Sequence, residues 1–310
     1  MNPHELPIPA GIMTEPAVRP VRGLMVLEGP AYDAHGNLFF SDITGDRIMQ
    51  LATDGKLTVF RENTGRANGN VFDSEGRLLT CEMGGRRIVR TDMKSGEVTA
   101  VAERYEGKRY NSPNDVTVDS RGCIYFTDPV YGPKPPDLEL DVEGVYRVDV
   151  DGSVTRILGQ PAIQKPNGLA VSPDNRTLYV IDSNPAEGGN RKVWGFTLTD
   201  DGSVTDQRVM YDFAPGRGGD GMELDREGNL YVCAGSIGAR SAYEGPQYLP
   251  GVYVITPKGE MLGRIPIPED GLTNCCFGGP DLKTLYVVAG RTVYAVNVSV
   301  PGHHLYPAIS

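Results

Sequence analysis

Histidine is scarce in this sequence: the 310 residues contain four, His4, His35, His303 and His304. Two lie near the C-terminus, one near the N-terminus, and His35 sits in an Asp-Ala-His-Gly turn. A Ser-His-Asp triad or a histidine-built zinc centre needs an imidazole fixed inside a pocket, and none of these positions offers one. Cysteine is nearly as limiting. Cys81, Cys123, Cys233, Cys275 and Cys276 are odd in number, lack Cys-x-x-Cys spacing, and fall mostly in apolar runs such as LLTCE and LYVCAG. A disulfide framework is therefore not expected; buried free thiols in a reducing, cytoplasmic setting are. No apolar run approaches the roughly 20 residues of a membrane helix. The opening MNPHELPIPAGIMTEP lacks a basic segment followed by an apolar one, so no secretory leader is expected. Sustained 3.6-residue periodicity is missing too, which predicts almost no helix. Basic charge is in deficit, 30 Lys+Arg against 40 Asp+Glu for a net −10. That balance argues against nucleic-acid or anionic-membrane partners and suits small neutral or cationic ligands.

What the chain has in quantity is glycine, 39 residues, and an internal repeat. The segments EGPAYDAHGNLFFSD, NGNVFDSEGRLLTCE, NDVTVDSRGCIYFTD, NGLAVSPDNRTLYVID, DGMELDREGNLYVCA and NCCFGGPDLKTLYVVA align in one register. Each opens on a polar residue, Glu28, Asn68, Asn114, Asn167, Asp220 and Asn274, and five positions later reaches a turn at Asp33, Asp73, Asp119, Ser172, Asp225 or Gly279. The openings are 40, 46, 53, 53 and 54 residues apart. Within a copy a short strand, a turn and a β-branched or aromatic strand are followed, in most copies, by a second pair around a tight-turn dipeptide such as Asp54-Gly55 or Asp151-Gly152. Units of about 40–50 residues with four strands predict an all-β, six-bladed propeller. The sixth copy has only three strands, so the stretch from Ala17 to Leu24 is expected to supply the fourth and close the ring. Residues 1–310 then form a single domain, with inner strands starting near 28, 68, 114, 167, 220 and 274.

Strand alternation in such a blade brings the start of the inner strand, the end of the second and the second-to-third loop to one face. The six polar residues should meet at one mouth of the axis. Insertions at Pro129 to Glu143, Ser183 to Arg191 and Gly235 to Pro250 occupy that same face, which reads as a lid over a site. Two carboxylates and four amides make a hard, oxygen-only donor set suited to one divalent ion, Ca²⁺ first, with Zn²⁺, Mg²⁺ or Mn²⁺ also possible. The plain alternative is that these residues cap strand starts through side-chain to backbone bonds.

The segments LEGPAYD, GKRYNSPNDVTVDSRGCIYFTDPVYG, KPNGLAVSPD and GGDGMELD resemble the senescence-marker-protein/regucalcin/gluconolactonase family, over about Val21 to Val298, and the SPND-to-TDPVYG stretch is most similar to bacterial gluconolactonases. The resemblance implies metal ligands at Glu28, Asn167 and Asp220, with Asn114 as a fourth ligand or substrate contact. Animal members carry an arginine where this chain has Ser112, a departure from the animal-type sugar contacts. The implied reaction is hydrolysis of a small-molecule sugar lactone, with Asp220 as both ligand and general base, and Asn114, Ser112 and Tyr131 facing substrate. Tyr243 and Tyr248 are further pocket candidates, while Arg109 reads as a solvated charge. Rival readings are an organophosphate or aryl-ester hydrolase on the same metal, a non-catalytic calcium-binding propeller, and a metal-free strictosidine-synthase-like condensing propeller. The last is disfavoured by the Asn167/Asp220 pair.

Overall fold

The computed structural model describes residues 3–9, 19–20 and 26–306. Its strands form six four-stranded antiparallel sheets, with a small two-stranded ribbon at Arg104–Tyr105 and Lys108–Arg109. The inner strands are Leu27–Tyr32, Ala67–Phe72, Val116–Val118, Pro166–Val171, Met222–Leu224 and Leu272–Gly278. Each lies beside the next and the sixth returns to the first, so the sheets close into the six-bladed ring that the repeat predicts. A 3-10 turn at Pro3–Glu5 is the only helical element among the described residues, and no helix there is long and apolar enough to cross a membrane.

The sixth sheet takes three strands from the end of the chain and its fourth from the beginning. Arg19–Pro20 runs antiparallel to Thr292–Asn297, with Arg19 opposite Val293 and Pro20 opposite Thr292. The clasp expected between Ala17 and Leu24 is therefore present at these two residues; the rest of that stretch lies outside the described residues.

The recurrent turn has a local cause. Asp33 Oδ1 accepts the N–H groups of His35 and Asn37, Asp73 Oδ1 those of Glu75 and Arg77, and Asp225 Oδ1 those of Glu227 and Asn229. Ser172 Oγ does the same for Arg176 and Thr177. Each side chain replaces a backbone acceptor and fixes the reversal between inner and second strands. A second set of carboxylates anchors the links between blades: Asp128 accepts the N–H groups of Asn111 and Ser112, and Asp182 those of Gln164 and Lys165. Apolar side chains fill the space between neighbouring blades. Tyr231, Cys233 and Val252 of the fifth blade, for example, pack with Cys275, Phe277 and Val287 of the sixth. Fully burying side chains of this size contributes about 1.5–3 kcal/mol each. All five cysteines are buried and free.

The C-terminal segment crosses the face away from the polar openings. Gly302 N donates to Leu282 O and His303 N to Leu224 O, both at 2.9 Å. The Tyr306 ring lies 5.8 Å from that of Phe72 and packs on Gly76, where a Cβ would come within 2.6 Å of it. The tail thus packs under the disc at least as far as Tyr306 and closes that end of the axis.

Candidate active site

The inner strands approach one another backbone to backbone where they enter the ring. Gly168 N donates to Asp220 O at 2.8 Å, and a Cβ on Gly168 would sit 2.5 Å from that oxygen. Gly221 N likewise donates to Thr273 O at 2.6 Å. Four of the six opening residues are followed by glycine (Gly29, Gly69, Gly168, Gly221), and this close approach is the reason. Register irregularities between Glu28 and Ala31, Ala67 and Asn70, Pro166 and Leu169, and Leu272 and Asn274 turn the strand starts toward the axis.

Five of the six opening residues line one pocket of about 600 Å³: Glu28, Asn68, Asn114, Asn167 and Asp220. All three insertions contribute to its wall, through Tyr131, Pro185 and Arg240. The sixth opening residue departs from the expected ring. The irregularity before Asn274 sets it deeper, with Nδ2 at 3.4 Å from Asp115 Oδ2, and Thr273 takes the pocket position instead. Ser112 is not among the lining residues; its N–H is held by Asp128 Oδ1 at 2.7 Å. Tyr131 does reach the pocket, its hydroxyl donating to Ser183 O at 3.2 Å while Lys165 Nζ, 2.9 Å from Glu143, sits 5.2 Å from its ring centre. Tyr248 packs instead against Phe213 and Tyr253, and Tyr243 faces a separate cleft. Arg109 pairs at the surface with Glu139 and Asp137.

The electrostatics of the site are those of crowded carboxylates. Burial pushes the Glu28 carboxyl well above its usual range, and the negative charges of Asp220 and Asp115 add to it. Burial also raises Asp220, but Arg217 opposes it. Arg217 is buried; its Nη2 donates to Asp220 Oδ2 at 2.6 Å and to Leu272 O at 2.7 Å. Below the pocket, Asp115 stands where four other copies have glycine, and burial pushes its carboxyl up to about 7. The donor set fits a hard divalent ion: two carboxylates that destabilise each other, with amides beside them and no imidazole or thiolate. Among the described residues no group of three or more His, Cys, Asp or Glu is placed to hold a metal ion by itself, so an ion here would need the amides as ligands. Sequence reasoning missed Arg217, Asp115, Arg66, Arg240 and Glu244. Only Asp115 carried a signal, as the acidic residue in the glycine column of the repeat.

Fold and pocket together define a six-bladed propeller with an oxygen-donor site at one mouth of its axis. The chain belongs to the SMP-30/gluconolactonase/LRE-like family, whose model matches residues 26–291. It is 32% identical over 301 residues to a gluconolactonase of Zymomonas mobilis, covering 89% of this chain and 79% of that protein. It is 30% identical over 268 residues to regucalcin of Danio rerio, covering 84% and 82%. A solved gluconolactonase structure from Xanthomonas campestris superposes with a TM-score of 0.78 at 32% identity, over 94% of this chain and 95% of that one.

Proposed function

We propose that this chain, read over residues 1–310 as one propeller unit, is a divalent-metal-dependent lactonase that opens a sugar lactone. The observation that carries the reading is the convergence of Glu28, Asn114, Asn167 and Asp220 on a single pocket at the axis. The gluconolactonase relatives support the reaction class. Glu28, Asn167 and Asp220 would hold the ion, Ca²⁺ first, and Asn114 would serve as a further donor or as a contact to substrate. When bound, the ion supplies Lewis acidity toward the ester carbonyl and offsets the charge that develops there.

The chain's own residues do the rest. Asp220 is the general base: it accepts a proton from the water that adds to the carbonyl carbon. As the ring C–O bond breaks, that proton passes to the departing ring oxygen, leaving a hydroxy acid. Arg217 opposes the rise that burial imposes on the Asp220 carboxyl and holds one of its oxygens in place. Tyr131, on the third-blade insertion, lines the pocket and would contact substrate there.

The test is a pH-stat assay of aldonolactones on the parent chain and Asp220→Ala, before and after chelation, with metal content measured. Acid release that depends on both the ion and Asp220 is expected. Undiminished turnover in Asp220→Ala, or in protein shown to be free of metal, refutes the mechanism.

A further inference from the structure

The chain carries a net charge of −10, yet its pocket gathers Arg66, Arg217 and Arg240. Their carboxylate neighbours there are Glu28, Asp220 and Glu244. Arg217 is engaged by Asp220, and Glu244 lies 3.7 Å from Arg191. Neither Arg66 nor Arg240 makes a side-chain hydrogen bond or ion pair among the described residues, although the Arg240 charge acts on Asp220 across the pocket, and both residues are exposed at the pocket wall. A divalent ion on Glu28 and Asp220 would leave the pocket with surplus positive charge.

Neither arginine is an ordinary surface side chain. Arg66 lies on the link between the first and second blades in a left-handed backbone conformation, φ 58°. That conformation is unfavourable for a residue with a side chain, and a turn alone would favour glycine or asparagine there. The strain is braced: Arg66 N donates to Asp46 Oδ1 at 2.6 Å and its carbonyl accepts Met83 N at 3.2 Å. Its aliphatic stem lies over Gly84, where a Cβ would be 3.4 Å from Arg66 Cδ. Arg240 is held on the fifth-blade insertion by its N–H to Glu244 O at 3.0 Å, and Glu244 is buried. Blade order puts the two arginines on different walls of the pocket.

Resting on the lactonase reading, we propose that this pocket selects lactones bearing a second, anionic group (carboxylate, phosphate or sulfonate) remote from the ester carbonyl, and that Arg66 and Arg240 select it. A neutral lactone would leave both guanidinium groups in water and gain nothing from the braced conformation of Arg66. Planar, bidentate donors match such anions, and charge-assisted hydrogen bonds at a pocket wall discriminate by about 10–100-fold.

The test separates anion recognition from catalysis. Calorimetry on metal-loaded protein compares glucose, glucuronate and glucose 6-phosphate, pyranoses that present the ring without a hydrolysable ester. Parallel kinetics compare glucono-1,5-lactone with its 6-phosphate and with glucarolactone. Binding at least about 10-fold tighter for one of the anionic sugars is expected. That preference should fall to near unity in Arg66→Gln/Arg240→Gln. The carboxylate and phosphate arms identify which anion is taken. Equal binding of neutral and anionic sugars, no detectable binding of either anionic sugar, or a preference that survives the double substitution overturns the proposal. Anion preference with no lactone opened would defeat the lactonase reading alone; neutral lactone opened with no anion preference would defeat this inference alone.

Discussion

Arg217, itself buried, pairs with Asp220 at the pocket edge three residues on, Nη2 to Oδ2 at 2.6 Å, and the same Nη2 reaches Leu272 O in the next blade. One side chain therefore ties the candidate base to the backbone of the neighbouring inner strand. The orientation of Asp220 and the fit between fifth and sixth blades depend on the same group.

Replacing Arg217 should damage both. Removing one partner of a fully buried pair costs about 3–5 kcal/mol because the other charge is left uncompensated, and the opening of Asp220 to the pocket brings the expected cost below that range. Without its guanidinium, the Asp220 carboxyl rises further, since burial already pushes it up and Arg217 is the main opposing influence. Arg217→Met should lower the melting temperature and move the acid limb of the pH–rate profile to higher pH, while Arg217→Lys should restore part of each. An acid limb that stays in place in Arg217→Met would show that the arginine only supports packing.

The repeat made the ring legible because five of the six copies carry their own turn chemistry, an Asp or Ser five residues after the opening position. Glu28, Asn167 and Asp220 could be found by register alone. Asn274 could not, because a bulge between Leu272 and Asn274 moves it off the pocket, and bulges leave no mark in a polar-apolar pattern. Arg217 was equally hidden: its contacts include a carbonyl 55 residues away, and within GRGGDGM nothing separates it from a solvated arginine. Ser112 was a candidate from its place beside Asn114, yet its backbone is committed to Asp128.

The glycines after the opening residues should tolerate no side chain. In Gly168→Ala the added Cβ would meet Asp220 O at 2.5 Å, so the fourth and fifth inner strands must part and the hydrogen bond between them must lengthen. A loss of about 2–4 kcal/mol is expected, with metal affinity falling alongside because Asn167 and Asp220 flank the contact. Chemical denaturation and calorimetric titration of Ca²⁺ check the two effects. A variant of parental stability would mean that the strands are not held this closely.

Glu223 faces the closed axis beneath the pocket, where burial raises its carboxyl to about 8 and Asp115 adds to the effect. A carboxyl raised in the folded state keeps its proton there after the unfolded chain has lost it. Stability from this group is therefore full below the unfolded value and declines as pH rises toward 8. Glu223→Gln removes the decline. Relative to the parent, the variant should gain roughly 2 kcal/mol at pH about 9, after allowance for partial solvent contact, and nothing at pH about 4. Urea denaturation across that range reads the difference, and parallel stability curves for the two proteins would contradict it.

Cutting the chain after Pro301 should uncover the far end of the axis and leave the site face in place. The truncation removes the bonds from Gly302 to Leu282 and from His303 to Leu224, and lifts Tyr306 from Phe72. Two backbone hydrogen bonds and a half-buried aromatic ring together account for about 2–4 kcal/mol. His304 adds a pH signature: burial lowers its imidazole to about 4, so it folds neutral, and its contribution is present above the unfolded value near 6.5 and lost as pH falls toward 4. The truncated protein should melt at a lower temperature near neutral pH and bind an apolar dye. Its stability should change less than the parent's on acidification through that window. Metal titration on the opposite mouth should be unchanged, since no group removed lines that pocket. Unaltered melting with no dye uptake would mean that the tail does not seal the disc.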